Sequence, residues 1–320
     1  MNDPTPPPEL EVPWLSIAAV ERDTRLSKDT LRIWERRYGF PLPARDAHGE
    51  RLYPPEQVQQ LRHIRRLMDA GHRPGRIVGL ALAELEQLGA RSLPSNEGRM
   101  AVVPDEGAAL RADLLALVRQ HDAAALRRSL GQALLRQGLH RFIGEVAVPL
   151  LGEIGSAWAA GQLQVFEEHL CSEALEAVLH SAIAAAPPPS TGRDQPRVLL
   201  STFPGESHGL ALLMAEALFC VEGCRCLSLG VQTPLQDLRL AAQAQASQIV
   251  ALSFSSAAPL QQALDALAEL RAALPPQVEI WAGSRSAALQ RRSVPGVLLL
   301  ERLEHIPAEL QRWQKQQVLR

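Results

Sequence analysis

Val198-Leu199-Leu200-Ser201-Thr202-Phe203-Pro204-Gly205-Glu206-Ser207-His208-Gly209 reads as a buried strand running into a glycine-bracketed loop, with an apolar helix-forming stretch after it. A strand, a tight loop and a helix in that order open an α/β unit. Such folds bind ligands in the loops at the carboxyl ends of their strands. His208 lies in that loop, and Glu206, two residues earlier, can hydrogen-bond the ring nitrogen that faces away from a ligand. The same residues also suit a solvated loop histidine beside a helix-capping glutamate, and on this stretch alone the two readings are level.

Outward from it the pattern alternates. Short apolar runs near 198–202, 225–229, 248–253, 278–282 and 296–300 are separated by helical runs near 208–221, 234–245, 259–273 and 284–291, with a last helix near 303–315. Strands alternating with helices predict a doubly wound, Rossmann-like parallel sheet over 197–320. Over 106–186, Ala and Leu recur at helical spacing, with breaks near Gln120-His121-Asp122, Gln137-Gly138 and Gly161-Gln162. That predicts a four-helix bundle with short connections. Residues 187–196 and 92–105 have linker composition, 13–91 form a basic helical segment, and the Pro-rich 1–12 are expected to be a disordered tail. The expected fold class is multi-domain, α and α/β.

Composition excludes several classes. The 320 residues are 46% hydrophobic, enough for several cores, yet no apolar run reaches spanning length. The start, Met1-Asn2-Asp3-Pro4, lacks the regions of a signal peptide, so a cytoplasmic protein without a membrane partner is expected. Four cysteines with no paired spacing agree with a reducing compartment. Cys220, Cys224 and Cys226 match no zinc spacing and read as core or turn content. The net charge of −2 averages unlike parts, because Arg25 to Arg76 holds twelve Lys/Arg against six Asp/Glu. An acidic partner is expected there.

In that segment Ser16 and Ser27 can cap two short helices, Ile17–Glu21 and Lys28–Tyr38. Leu31 and Trp34 share an inward face of the second helix, which leaves Lys28, Arg32, Arg36 and Arg37 as an outer cationic ridge suited to phosphates and base edges. Residues 45–53 suit a basic hairpin wing, and a new helix follows Pro54-Pro55. The run Thr30-Leu31-Arg32-Ile33-Trp34-Glu35-Arg36-Arg37-Tyr38-Gly39, followed by Pro41, Arg45, Gly49, Arg51 and Tyr53, resembles the winged helix-turn-helix of MerR-type regulators. The resemblance implies a recognition helix in the major groove of double-stranded promoter DNA. It places Lys28, Thr30, Arg32, Arg36 and Arg37 on that helix and Arg45, Arg51 and Tyr53 near the backbone.

In the bundle, Trp158 ends the third helix and Glu168 and His169 open the fourth, so the turn at Gly161 can bring them to one end, where they could cap a large flat ligand. Each of them alone would read as core or surface. Trp, nine residues, then Glu-His resembles the helical cap of cobalamin-dependent photoreceptor repressors of the CarH/LitR type. Those proteins share with cobalamin-binding mutases and methyltransferases an Asp/Glu-x-His-x-x-Gly loop, a Ser-x-Leu element and a Gly-Gly pair. Here Glu206 and His208, then Ser253 and Ser255, then Ala282 and Gly283 fill these positions, with Ala211, Ser255 and Ala282 departing from the pattern by small residues. Ala159 stands where some relatives carry a histidine.

The resemblance implies a non-enzymatic DNA-binding repressor that holds adenosylcobalamin, or methylcobalamin or another cobalamin form, between helical cap and Rossmann-like domain. His208 would be the axial cobalt ligand oriented by Glu206, with Ser253, Ser255 and Gly283 around the nucleotide tail and Trp158, Glu168 and His169 over the upper face. Light would act on a homo-oligomer, a dimer or a tetramer. Three alternatives stand beside this reading. One is a regulator sensing cobalamin or redox state without light, and another has lost cobalamin and acts through protein contacts. The third, a corrinoid methyl-transfer module, is disfavoured because no substrate domain is present.

Overall fold

The structure is a computed structural model that describes residues 14–46, 48–69, 72–91, 107–187, 195–255, 258–292 and 294–318. The tail expected over 1–12 and the linker over 92–105 lie outside the described residues, as does 188–194 of the linker expected over 187–196. The chain divides into two compact units, one of Met1–Asn96 with Ala159–Gln162 and one of Glu97–Trp158 with Leu163–Arg320.

In the first unit β1 (Leu15–Ser16) leads into α1 (Ile17–Thr24), and α2 (Lys28–Tyr38) follows a short turn. Both helices begin where a serine caps them. Ser16 accepts from the Ala19 amide and Ser27 from the Thr30 amide. α1 continues past Glu21 to Thr24, and the Arg25 amide then bonds back to the Glu21 carbonyl. Gly39 closes α2 with a φ of 68°, a left-handed conformation that glycine adopts without a Cβ clash. The hairpin of β2 (Ala44–Arg45) and β3 (Arg51–Tyr53) takes β1 as its third strand, in the order β1-β3-β2. α3 (Pro55–Asp69), α4 (Pro74–Ile77) and α5 (Leu82–Arg91) complete the unit around Val20, Leu31, Trp34, Leu61 and Ile64.

The second unit starts with α6 (Ala108–Arg119), α7 (Ala123–Gln137), α8 (Leu139–Arg141), a π-helical segment (Phe142–Ala147), α9 (Val148–Ala159) and α10 (Val165–Ala185). The π segment was not expected. It buries Phe142, Ile143, Val146 and Ala147, and Arg111 donates to the Glu145 carbonyl (3.0 Å) and to Glu153 (2.7 Å) beside it. Then come β4 (Arg197–Ser201), α11 (Leu210–Val221), β5 (Arg225–Ser228), α12 (Leu235–Ala244), β6 (Ile249–Phe254), α13 (Leu260–Ala273), β7 (Glu279–Ser284), α14 (Ala287–Gln290), β8 (Val297–Leu300) and α15 (Ile306–Val318).

The five strands are all parallel, in the order β5-β4-β6-β7-β8, which makes this part the expected doubly wound sheet. Side chains alternate between its faces. Val198, Leu200, Ile249, Ala251 and Trp281 enter one core with α11, α15 and the helical bundle. Leu199, Val250, Leu252, Ile280 and Ala282 enter another with α12 and α13. Bundle and sheet therefore share a core and position each other. Among the described residues no helix is long and apolar enough to cross a membrane.

Candidate functional site

β4 and β6 are neighbours although β5 lies between them in sequence. The chain leaves their carboxyl ends toward opposite flanks, and the gap that opens there is where such sheets bind ligands. The loop after β4 turns at Gly205 (φ 89°), and Glu206 is only 3% exposed. Its Oε1 meets His208 Nδ1 at 2.5 Å and accepts the His208 amide at 3.0 Å. Its Oε2 accepts the Ser255 amide, in the loop after β6, at 2.8 Å. One carboxylate thus ties both sides of the switch point together.

The loop after β5 is stitched to the same place. The Thr202 hydroxyl donates to the Glu206 carbonyl (2.6 Å) and accepts the Gln232 amide (2.8 Å), while the Ser201 hydroxyl reaches the Gly230 carbonyl and Thr233. Thr202, Gln232 and Thr233 were not singled out in the sequence. The signal they left is the pair of hydroxyl residues where the apolar run of β4 stops.

Burial pushes the Glu206 carboxyl up, but hydrogen bonds from His208 and Ser255 outweigh it and hold the group at about 2. It is therefore an ionised acceptor, so His208 Nδ1 carries the proton, and in the neutral ring Nε2 then has the lone pair a metal would take. The His208 side chain is 60% exposed. Among the described residues no group of three or more His, Cys, Asp or Glu could hold a bare metal ion. A lone oriented imidazole instead suits a metal already held by a macrocycle, and in that sense the donor set fits cobalamin.

Ser253 and Gly283 pair in register on β6 and β7, so these two motif residues sit side by side at the carboxyl edge. A Cβ at Gly283 would make only an ordinary 3.7 Å contact with the Leu252 carbonyl, so the protein's own packing does not demand a glycine there. Ala282, one residue before Gly283, is fully buried in the core shared with α12 and α13. Ala211 is exposed on the first turn of α11.

At the start of α10, Gln164 and Glu167 form a reciprocal capping box. Glu167 also meets His121 (3.2 Å), whose ring lies edge-on to Phe166 at 4.9 Å. His121 was read only as a helix break. With Glu167 engaged in the cap, Glu168 pairs with His169 Nδ1 (2.7 Å) and accepts from Ser172 (2.8 Å). Trp158, on the last turn of α9, is half-buried against the shared core. α10 and α11 pack along each other, so the Glu168-His169 pair near the start of α10 and the His208 loop just before α11 belong to two paired helices.

In the first unit Arg32, Arg36 and Arg37 are exposed along α2, Lys28 is half-exposed, and Leu31 and Trp34 are buried. The Thr30 hydroxyl bonds Ser27 at 2.8 Å. Asp46 accepts the amides of His48 and Glu50 and shapes the wing turn, where exposed Arg45 donates to the Gly49 carbonyl. Arg51 forks onto Glu35 of α2 (2.8 and 3.4 Å), which fastens the hairpin to that helix. Tyr53 requires a correction. Expected near the DNA backbone, it is 0% exposed, because strand alternation puts it with Arg51 on the side of β3 facing the core.

Glu206 gives a pH prediction. Its folded pKa of about 2 lies below the ordinary 4.5, so its stabilisation is fully present above 4.5 and is lost as pH falls toward 2. The contribution is on the order of 3 kcal/mol. Acid unfolding should be shallower between these limits in Glu206→Gln than in the native chain, and superimposable acid limbs would contradict this.

Residues 15–84 match the model described as MerR HTH family regulatory protein, and residues 110–181 match the B12 binding domain model. The chain is 32% identical over 283 residues to the HTH-type transcriptional repressor CarH of Myxococcus xanthus, covering 85% of this chain and 89% of that protein. It is 30% identical over 263 residues to the HTH-type transcriptional repressor CarA of the same organism, covering 82% and 84%. A solved structure, the monomethylamine corrinoid protein of Methanosarcina barkeri, aligns with 64% of this chain and 98% of its own at 14% identity with a TM-score of 0.48, a likeness too loose to carry an argument. A MerR-type DNA-binding domain followed by a B12-binding domain, matched along most of their length by both repressors, makes this chain a member of the CarH/CarA family of MerR-type transcriptional regulators.

Proposed function

We propose that the chain is a transcriptional repressor whose hold on promoter DNA is governed by adenosylcobalamin and light. The observation that carries this reading is the Glu206 carboxylate joining His208 to the Ser255 amide across the switch point. It fixes the imidazole so that Nε2 would meet the cobalt. The carboxyl-edge loops at Ser253, Ser255 and Gly283 would hold the nucleotide tail. Trp158, Glu168 and His169 would cover the upper face, and Ala159 offers no imidazole to the metal. The bound cofactor would supply a cobalt–carbon bond that light breaks.

On this reading Arg32, Arg36 and Arg37 of α2 meet the major groove with Lys28 and Thr30 beside them. Arg45 approaches the backbone from the wing, and Arg51 holds the wing in place. Small DNA-binding domains gain affinity when several act on adjacent sites, which is the reason for a dimer or tetramer in the dark. Light can change that assembly only through a difference in affinity between two states. The domains that follow from this are 13–91 for DNA, 106–186 for the cap and 197–320 for the lower cobalamin face. The role is binding rather than catalysis.

An absorbance titration tests the cofactor. The native chain should bind adenosylcobalamin at micromolar concentration, Glu206→Gln should weaken binding by about 10- to 100-fold, and His208→Ala by more. Equal affinity in the native chain and His208→Ala would remove the proposed ligand. Size-exclusion chromatography tests light: the cobalamin-loaded chain should elute as an oligomer in the dark and as a smaller species after illumination, and Trp158→Ala should uncouple the two. Identical profiles with cobalamin bound would leave sensing without photoreception. For DNA, Arg36→Ala should weaken binding to a promoter fragment and flatten its salt dependence, because one phosphate contact releases about one counterion. Unchanged affinity and salt slope would exclude that contact.

A further inference from the structure

A cavity of about 500 Å³ lies where α10 and α11 end and β5 begins. Three of the chain's four cysteines, Cys220, Cys224 and Cys226, line it together with Arg225, Ile183 of α10 and the two residues that follow that helix. β5 runs parallel to β4 and pairs from Arg225 opposite Arg197, so the cavity is at the amino edge of the sheet. The His208 loop is at the carboxyl edge. The thiol cavity is therefore separate from the candidate cobalamin site.

The turn after α11 explains the grouping. The Cys220 carbonyl accepts the Gly223 amide and the Phe219 carbonyl accepts the Cys224 amide, with Gly223 at a φ of 80°. The chain passes from helix end to strand within that turn, so Cys220 and Cys226 line the same cavity half-buried, and the Cys226 thiol donates to the Cys224 carbonyl at 4.0 Å. The neighbouring Cys226 thiol lowers Cys220 below its ordinary range, against burial and the charge of Glu216. Cys220 in turn raises Cys226, and burial raises it further. Burial pushes Cys224, and Cys171 elsewhere in the core, up to about 12. Cys220, half-buried in a cavity that Arg225 also lines, is thus disposed to attack with Cys226 in the same cavity to resolve, whereas Cys171 and Cys224 are buried.

We propose that Cys220 and Cys226 form a thiol oxidation site for a small hydroperoxide, of which hydrogen peroxide is the simplest. The Cys220 thiolate attacks one peroxide oxygen, the O–O bond breaks, and the departing hydroxide takes a proton to leave as water. Cys220 is then a sulfenic acid. The Cys226 sulfur attacks the Cys220 sulfur, the S–O bond breaks, and hydroxide leaves with the Cys226 proton as a second water. Two thiols are oxidised to one disulfide while the peroxide is reduced to two waters. Arg225 supplies a cation in the same cavity where hydroxide departs. The disulfide pins the carboxyl end of α11 to β5, and a dithiol reductant reverses it.

The test uses the reduced full chain without cobalamin, so its outcome is independent of the cofactor reading. After hydrogen peroxide, the free thiols are alkylated under denaturing conditions and the peptides are mapped by mass. The expected product is a Cys220–Cys226 disulfide, with Cys171 and Cys224 still alkylated. In the folded chain Cys220 should react with iodoacetamide at least about tenfold faster than Cys171. Cys226→Ser should accumulate a sulfenic acid at Cys220 that dimedone traps. The measurement on the native chain stands even where that variant does not fold. Absence of any modification, a disulfide joining another pair, or oxidation of Cys171 or Cys224 as fast as Cys220 would overturn the proposal.

Discussion

A buried carboxylate with two jobs governs the arrangement of the second unit. Glu206 is removed from water, and burial alone would push its carboxyl up. Donors from His208 and from the Ser255 amide reverse that and keep it charged. Because the two donors belong to loops after β4 and β6, the charge holds the crevice in shape as well as orienting an imidazole. An uncharged side chain at 206 would loosen both at once. Charge, loop geometry and ring orientation are in this sense one interaction.

The helical bundle depends on the same sheet. Its residues share a core with α11 and α15 on one face, so the start of α10 is fixed relative to the loop that precedes α11. A ligand between the Glu168-His169 pair and His208 would therefore bridge elements that already belong to one packed body. In the first unit the equivalent fastener is the Arg51–Glu35 fork, which ties the β2–β3 hairpin to α2. Arg51 is partly withdrawn into that bond, which leaves the exposed charge to Arg32, Arg36, Arg37 and Arg45.

Much of this is legible in the sequence, for physical reasons. Buried parallel strands are short apolar runs between turn residues, so β4 to β8 stand out, and serine caps mark α1 and α2. The pairing of Glu206 with His208 is local and can be read from two residues. Its bond to Ser255 cannot, because it depends on β4 lying beside β6. The register of Ser253 with Gly283 is hidden for the same reason. β1 is too short to show a period, and the π segment keeps the apolar face a continuous helix would have. Tyr53 reads as surface because its neighbours are basic, whereas strand alternation buries it. The grouping of Cys220 with Cys226 in one cavity arises from the turn at Gly223, and spacing alone gave no sign of it.

The central claim is that Glu206 presents the His208 imidazole to the cobalt of a bound cobalamin. Electron paramagnetic resonance of the paramagnetic, reduced cofactor on the full chain tests it most directly, with the protein made once with ordinary histidine and once with nitrogen-15 histidine. The account predicts that the nitrogen splitting on cobalt changes on labelling and that His208→Ala abolishes the change. A splitting pattern unaffected by the label would show that no protein imidazole is on the metal, and would contradict it.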